Sequence, residues 1–360
     1  MKCLIVLDRK AEMDGEDIPY ARVKIDGEEY LFCLVDFPEP DLKVELEENA
    51  VLVKIKAFSC NYRDKGILSM FREKCANSRS GDSFSYGYFG SDFVGEVIGI
   101  GKNVRAFKVG DRVIPDDSYP RKTDDAFGGV ATNDASNRIQ VFRESFLVKV
   151  PDSMSDYQAA CFPLTALTSS SIISKANIKA KDKVLVTAPF SNTSMGCLEF
   201  LRHRNDVEVY ALSTHKQEAE VSFKGFNLRQ VFSLEELLQE EVKPHLLFDV
   251  IIDPFADIHL NTLSGFLNHN ARYISCGYTN TAIERFDPRN VLLNFIAHNA
   301  VFIGNCLGHP GALKTALSAF ERNEYSVYID SVFSGEQVSS FVERSFNERH
   351  FGKVLYVYDD

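Results

Sequence analysis

Apolar residues along this chain fall in short runs, and the rhythm of the runs changes near Pro151. Before that point the runs are brief and bounded by Gly, Asn, Asp or Pro. Residues 51–57, 93–99 and 111–115 each predict a strand, and a series of such strands predicts an irregular antiparallel barrel. The opening stretch from Met1 to Lys10 holds an apolar run far too short for a signal peptide or a membrane span, and it predicts a first β-strand.

After Pro151 the pattern becomes strand, helix, strand. Residues 183–187 form a short apolar run, 195–203 follow with helical character, and 207–212, 248–253, 271–277 and 300–304 are further strands separated by helical stretches. Alternation of this kind predicts a parallel sheet covered on both faces, the doubly wound α/β class. The tail is β-rich again at 327–330 and 352–358, which predicts a return to the first domain. The expected division is residues 1–150 with 311–360 for the β-rich domain, and 151–310 for the doubly wound one.

Composition narrows the choice of function. A length of 360 residues calls for two cores, and 45% apolar with 25% charged residues is ordinary for a globular protein. A net charge of −11 argues against a nucleic-acid partner, whose phosphates require basic surface, and no stretch calls for a membrane. The eight cysteines include no CxxC pair, which speaks against a zinc ribbon, a thioredoxin-like site or a disulfide framework and suits a reducing cytoplasm. The eight histidines, among them His203, His215, His298 and His309, show no metal-ligand spacing.

Five segments then carry a resemblance. Gly90-Ser91-Asp92-Phe93-Val94-Gly95-Glu96-Val97 runs on to Gly99-Ile100-Gly101, and Val109-Gly110-Asp111-Arg112-Val113 follows. Asn61-Tyr62-Arg63-Asp64, Leu164-Thr165-Ala166-Leu167-Thr168 and Gly352-Lys353-Val354 complete the set. Taken in chain order they resemble the medium-chain dehydrogenase/reductase superfamily. The resemblance implies a GroES-like β-rich catalytic domain and a Rossmann doubly wound parallel-sheet domain that binds a nicotinamide dinucleotide.

Two departures from the family pattern are informative. Its zinc-containing members place a catalytic Cys, His and Cys on three of these segments, where this chain has Asn61, Ser91 and Leu164. Catalytic zinc takes three nitrogen, sulfur or carboxylate ligands, so no metal is expected. Cys60 is a neighbour of Asn61, one position off. The second departure is the turn after the first Rossmann strand, where the usual glycines give way to Ser191-Asn192-Thr193-Ser194. Hydroxyl and amide donors there would take over from close backbone approach to a pyrophosphate while capping the helix. A decayed loop is the alternative, and it would leave a non-catalytic scaffold. At the end of the second Rossmann strand Ser213, Thr214 and Lys216 stand where NAD enzymes carry an acid, which favours NADPH; an ordinary polar strand end is the other possibility.

Without zinc no Lewis acid polarises an oxygen. The reaction implied by zinc-free, quinone-oxidoreductase-like relatives is hydride transfer to the β-carbon of a carbonyl-activated alkene. The resulting enolate is stabilised by hydrogen bonds and protonated at the α-carbon. The resemblance makes Tyr62 the candidate donor, with Asp64 to orient it or relay a proton; a packed tyrosine and a turn carboxylate are the competing explanations. Asn61 and Thr168 are expected at the nicotinamide side. Ser91 either offers its hydroxyl to a ligand or is structural. Cys276 and Gly277, then Cys306 and Leu307, are expected to approach the cofactor from two strand ends. Lys353 reaches a phosphate or ribose, or is a surface lysine. Tyr86 and Tyr88 line a substrate entrance or belong to the core, and the polar stretch 116–137 covers the substrate or is simply a long loop.

Quinone and enoyl reduction both fit this reading. So does a narrower group: the polar cofactor loop, the 61–64 segment and the long loop resemble lanthipeptide dehydrogenases, which reduce dehydroalanine in a modified peptide to D-alanine. The substrate is accordingly a small molecule or a modified peptide. Dimers are common among relatives, so a homodimer is an expectation by analogy.

Overall fold

A computed structural model describes residues 1–7, 20–38, 46–77, 86–118, 129–239, 246–279 and 287–359. Residues 8–10 of the expected first strand and 119–128 of the long polar loop lie outside the described residues. The chain divides into two compact units. One comprises the described parts of 1–117, 129–164 and 327–359; the other is Thr165–Ser326 together with Ser118.

The first unit holds two sheets. The strands of the smaller one are β1 (Lys2–Leu7), β2 (Ala21–Ile25), β3 (Glu28–Asp36) and β5 (Tyr86–Gly87), in the order β2-β3-β1-β5. The larger is built from β4 (Ala50–Ser59), β6 (Asp92–Ile100), β7 (Arg112–Pro115), β8 (Ile139–Arg143), β9 (Leu147–Lys149), β16 (Ile329–Ser334) and β17 (Lys353–Val357). Its order is β16-β17-β4-β6-β7-β9, with β8 also paired to β4. Helices α1 (Asp64–Asn77), α2 (Asp156–Cys161) and α10 (Val338–Phe346) belong here too. The antiparallel expectation holds for the larger sheet except at β16 and β17, which run parallel. An aromatic cluster centres the core: the Phe58 ring lies 5.4–5.9 Å from those of Phe89, Phe341, Tyr356 and Tyr358.

Register in the larger sheet positions its polar residues. The end of β4 is flanked on one side by β6, where Ser59 pairs with Asp92, and on the other by β17, where Ser59 pairs with Leu355. Two residues on from Ser59 is Asn61, and two back from Leu355 is Lys353, so antiparallel register sets these side by side. Gly352 makes this possible. Its φ is +101°, and a Cβ there would stand 2.4 Å from the Tyr328 carbonyl oxygen, so an L side chain fits neither the backbone nor the space.

The second unit is a six-stranded, wholly parallel sheet of β10 (Lys183–Thr187), β11 (Glu208–Leu212), β12 (Leu228–Phe232), β13 (Phe248–Asp253), β14 (Leu267–Ser275) and β15 (Val301–Gly304). The order is β12-β11-β10-β13-β14-β15, so the winding reverses between β10 and β13. Such a reversal is the topological switch point at which doubly wound sheets take their ligands. Helices α3 (Pro163–Ala176), α4 (Asn192–Leu201), α5 (Lys216–Ser222), α6 (Leu234–Leu237), α7 (Ala256–Leu263), α8 (Pro288–Ala297) and α9 (Ala312–Glu321) complete the unit; α3 begins two residues before its boundary. Strands β10, β11, β13 and β15 coincide with the apolar runs to within one residue. Helix α4 begins three residues earlier than its apolar pattern, because the polar Asn192, Thr193 and Ser194 form its first turn.

Both domain boundaries fall later than the change of rhythm indicates. Residues 151–164 stay with the first unit because α2 packs on β4, β6 and β17. Residues 311–326 stay with the second, where α9 buries the stripe Ala312, Leu313, Ala316, Leu317 and Ala319.

Candidate active site

In the first unit, two strand ends and the start of α1 bring five polar side chains into one buried cluster. Gly90, at φ +91°, turns the chain so that Ser91 and Asp92 enter β6. The Asn61 amide donates to Ser91 Oγ at 3.1 Å and to Asp92 Oδ2 at 2.9 Å. Lys353 Nζ donates to Asn61 Oδ1 (2.6 Å), Asp92 Oδ2 (2.8 Å) and the Cys60 carbonyl (3.1 Å). Ser91 Oγ donates to the Asp64 carboxylate at 3.0–3.1 Å, which also takes the Asn61 backbone N–H at 2.7 Å. Arg63 bridges Asp64 (3.1 Å) and Asn133 Oδ1 (2.9 Å), tying in the described end of the long polar loop.

The cluster is close to saturated. An asparagine amide has two N–H donors and a lysine three; here all five are engaged within the protein. Two cations, Arg63 and Lys353, face two buried carboxylates, Asp64 and Asp92, so the charge balances. Burial still pushes the Asp64 carboxyl above its ordinary range, against the pull of Arg63. Burial also pushes the Cys60 thiol well up, so this cysteine offers no thiolate.

The three positions to which the resemblance assigns zinc ligands in zinc-containing relatives meet here. Asn61 and Ser91 bond to each other, and the Leu164 N–H donates to Asp92 Oδ1 at 2.8 Å. Among the described residues no group of three His, Cys, Asp or Glu side chains is arranged to hold a metal ion.

Tyr62 differs from its neighbours: 52% of it is exposed, and Lys65 Nζ lies 5.2 Å from its ring centre. Asp64 is sealed beneath Ser91, Asn61 and Arg63. Its place is to hold the 61–64 turn and Ser91. Lys353 is no surface lysine either, since its ammonium is buried and committed to Asn61 and Asp92. Tyr86 and Tyr88 make an edge-on pair at 5.7 Å; Tyr86 also meets Phe37, and Tyr88 packs on the Cys3, Ile5 and Leu31 cluster of the smaller sheet.

In the second unit the expected cofactor residues gather at the carboxyl ends of the strands. Ala188, at φ +45°, turns the chain out of β10. Ser191 occupies the N-cap of α4 but makes no side-chain cap bond. Ser191, Asn192 and Thr193 are half-buried, whereas Ser194 is buried and donates to the Thr187 carbonyl at 2.7 Å. Ser194 therefore ties helix to strand. Asn192 and Thr193 lie in the first turn of a ten-residue helix, whose N–H groups have no intrahelical acceptor; that donor set fits a pyrophosphate.

At the end of β11, Ser213 accepts the His215 N–H at 3.1 Å and Thr214 is exposed. Lys216 is paired with Glu236 at 2.5 Å and Glu220 at 3.6 Å, and the hydrogen bond it donates to Glu236 raises its pKa. After β14 come Cys276 and Gly277. Burial pushes the Cys276 thiol up to about 12, and a hydrogen bond with Thr193 joins this loop to the start of α4. After β15, Asn305 takes Ser171 Oγ at 2.9 Å and donates to the Leu307 carbonyl at 2.7 Å. Leu307 is left-handed and Cys306 is exposed. Thr168 is buried on α3.

Sequence reasoning singled out neither Asp92 nor Asp253. Each is an acid at one end of a largely apolar strand, although β6 also carries Glu96 and β13 Asp249, and that is the signal available for both. Asp253 closes β13 and accepts four hydrogen bonds, from Thr187 Oγ1 (2.6 Å), Phe255 N (3.1 Å), His259 Nδ1 (2.9 Å) and Tyr273 OH (2.5 Å).

Comparison with known proteins agrees with this fold. Residues 47–152 match the alcohol dehydrogenase GroES-like domain. Among solved structures, a thermostable alcohol dehydrogenase from Pyrobaculum aerophilum superposes with a TM-score of 0.71 at 22% identity, covering 91% of this chain and 95% of that one. The chain has the medium-chain dehydrogenase/reductase fold. A quinone oxidoreductase from Pseudomonas syringae shares this fold, with a TM-score of 0.68 at 18% identity over 91% of this chain and 95% of its own. Curated relatives are larger. The probable polyketide synthases 14 and 3 of Dictyostelium discoideum are 25% and 24% identical over 88% of this chain, which spans 10% and 11% of their length.

Proposed function

We propose that this chain is an NADPH-dependent oxidoreductase that reduces an activated C=C bond without catalytic zinc. The observation that carries the reading is the bond between Asn61 and Ser91. The amide and hydroxyl at two of the zinc-ligand positions hold each other and the two buried carboxylates, and the third position is the alkyl chain of Leu164. Such a donor set suits a cluster that shapes the site rather than one that grips a metal.

Bound NADPH supplies the hydride. The chain supplies orientation and a proton: Tyr62, exposed and next to the locked Asn61, donates to the α-carbon, while Asp64, Arg63 and Lys353 keep the 61–64 turn in place. Ser191, Asn192 and Thr193 hold the pyrophosphate with the first-turn N–H groups of α4. Ser213, Thr214 and Lys216 receive the 2′-phosphate; a half-buried pair such as Lys216 with Glu236 gives up its partner at modest cost. Cys276, Gly277, Cys306 and Leu307 border the dinucleotide at neighbouring strand ends, and Thr168 lies on the nicotinamide side.

Among substrates, the polyketide synthase relatives favour an α,β-unsaturated acyl thioester over a quinone or a dehydroalanine peptide. Eight free thiols favour the reducing cytoplasm. Strand β15 closes one edge of the parallel sheet with Val301 and Phe302 exposed, and Leu292, Leu293 and Ile296 on α8 are exposed as well. An uncharged open edge of this kind invites antiparallel pairing with its own copy across a twofold axis, which favours a homodimer.

The test is a titration with NADPH and NADH, a zinc assay on the same sample, and NADPH oxidation with an enoyl thioester, a quinone and a dehydroalanine peptide. Tight NADPH binding, turnover of one of these and zinc far below one per chain are expected. Tyr62→Phe should lower kcat by about 100-fold or more. Stoichiometric zinc with chelator-sensitive activity overturns the zinc-free reading, and binding of neither cofactor leaves a scaffold.

A further inference from the structure

Buried carboxylates are expensive, and replacing a buried ionic group with well-packed apolar side chains often stabilises a protein. Asp253 is 1% exposed, in a parallel sheet whose other strands end on apolar or hydroxyl side chains. Stability alone gives no reason for it. Its place in the fold does: it is the last residue of β13, directly beside β10 at the switch point of the sheet.

The donors it collects come from separate elements. Thr187 is the last residue of β10. It is held twice, through its hydroxyl by Asp253 (2.6 Å) and through its carbonyl by Ser194 (2.7 Å). The next residue is Ala188, whose left-handed backbone (φ +45°) starts the loop leading to the open first turn of α4. Tyr273 comes from β14, three residues before Cys276, and its hydroxyl bonds to Asp253 Oδ2 at 2.5 Å. Phe255 N and His259 Nδ1 belong to the start of α7 and its second turn, at 3.1 and 2.9 Å. One carboxylate thus sets the spacing of the β10, β13 and β14 ends and of the α7 start. A carboxylate can only accept, so His259 must carry its proton on Nδ1.

We infer that Asp253 is a positioning residue for the dinucleotide: it clamps the β10–α4 phosphate loop against the β14 loop, and His259 completes the clamp by orienting the carboxylate. This rests on the nicotinamide reading above and deepens it. The ligand class is a nicotinamide dinucleotide whose pyrophosphate enters at the switch point. The Cys276 thiol beside the clamp, held protonated by burial, takes no part as a nucleophile.

The experiment measures NADPH and NADH binding by nicotinamide fluorescence in the full chain, with near-UV circular dichroism and Tm on each variant. Asp253→Asn exchanges an acceptor for a donor and should weaken dinucleotide binding by about 10- to 100-fold, the range that loss of an outer-shell partner produces at metal sites. Thr187→Val removes one hydroxyl at constant shape. It leaves Asp253 its other three donors, so it should weaken binding with only a modest fall in Tm, and it serves where Asp253→Asn does not fold. His259→Asn keeps a donor where Nδ1 stands and should bind like the parent, whereas His259→Leu should bind poorly. That rescue separates positioning from mere packing. Parent-like binding by Asp253→Asn and Thr187→Val overturns the inference while leaving the cofactor reading intact. A parent protein that binds neither dinucleotide overturns the cofactor reading itself, and this inference with it.

Discussion

Lys353→Met tests the physical account of the first-unit cluster most directly. The lysine side chain is 3% exposed and that of Asp92 fully buried. Methionine keeps most of the volume, so the cavity contribution is small, and what is lost is charge and donors. Asp92 then keeps the Asn61 and Leu164 N–H groups but no cation, while Asn61 Oδ1 and the Cys60 carbonyl each lose a donor. Breaking a buried ion pair by removing one partner costs about 3–5 kcal/mol. Removing both partners leaves no uncompensated charge, so Lys353→Met with Asp92→Leu should cost clearly less than the sum of the single changes. A coupling of roughly 1–3 kcal/mol is expected for groups in contact. The chain has no tryptophan, so urea unfolding at pH 7 is best followed by near-UV circular dichroism of the tyrosines, with the transition checked for two-state behaviour because there are two units. With a slope of about 3 kcal/mol/M, the Lys353→Met midpoint should fall by about 1 M or more. A shift below about 0.2 M, or strict additivity in the double variant, would refute the claim that the ammonium compensates Asp92.

Three further outcomes follow from single contacts. Gly352→Ala places a Cβ against the Tyr328 carbonyl at a left-handed backbone position, and it should cost on the order of 2 kcal/mol in urea unfolding. Burial alone would raise the Asp253 pKa, but the bonds from His259, Thr187 and Tyr273 more than offset this and hold it low. Its contribution to stability is therefore present above about pH 4, the ordinary aspartate range, and is lost as pH falls through the lowered folded value. The unfolding-midpoint gap between the parent and Asp253→Asn should then shrink from pH 6 to pH 3; a gap that widens toward acid contradicts it. Lys216→Ala should weaken NADPH binding by about 10-fold, the worth of one charge-assisted hydrogen bond, with little effect on NADH; equal losses would remove Lys216 from the 2′-phosphate site.

Fold and site were legible to different depths, for a physical reason. Period and punctuation are local, so the parallel strands could be read to within a residue or so where they are short and apolar, as at 183–187 and 248–253. Helix α4 was legible only from its apolar part, because its first turn is polar. The domain boundaries were displaced because α2 and α9 are assigned by what they pack against, which a change of rhythm does not encode. Among site residues, Asn61, Ser91, Asp64 and Lys353 were legible as positions and not as a cluster. Asn61 and Lys353 are 292 residues apart, and they meet because β17 pairs with β4 in a register that nothing near either residue specifies.

On the zinc-free reading proposed above, that long-range pairing also accounts for what the cluster replaces. Once Asn61 and Ser91 stand where metal ligands could stand, the two buried carboxylates beside them still require positive charge. Lys353 and Arg63 provide it from the chain itself, at 2.8 Å from Asp92 and 3.1 Å from Asp64. A covalently attached cation cannot exchange with solvent or shift toward a substrate oxygen, so it can fix geometry but cannot act as a movable Lewis acid. Any proton delivered to a substrate at this unit must then come from a group outside the saturated cluster. Within the 61–64 segment the reading proposed above gives that task to Tyr62, which is 52% exposed while Asn61 is buried in the cluster.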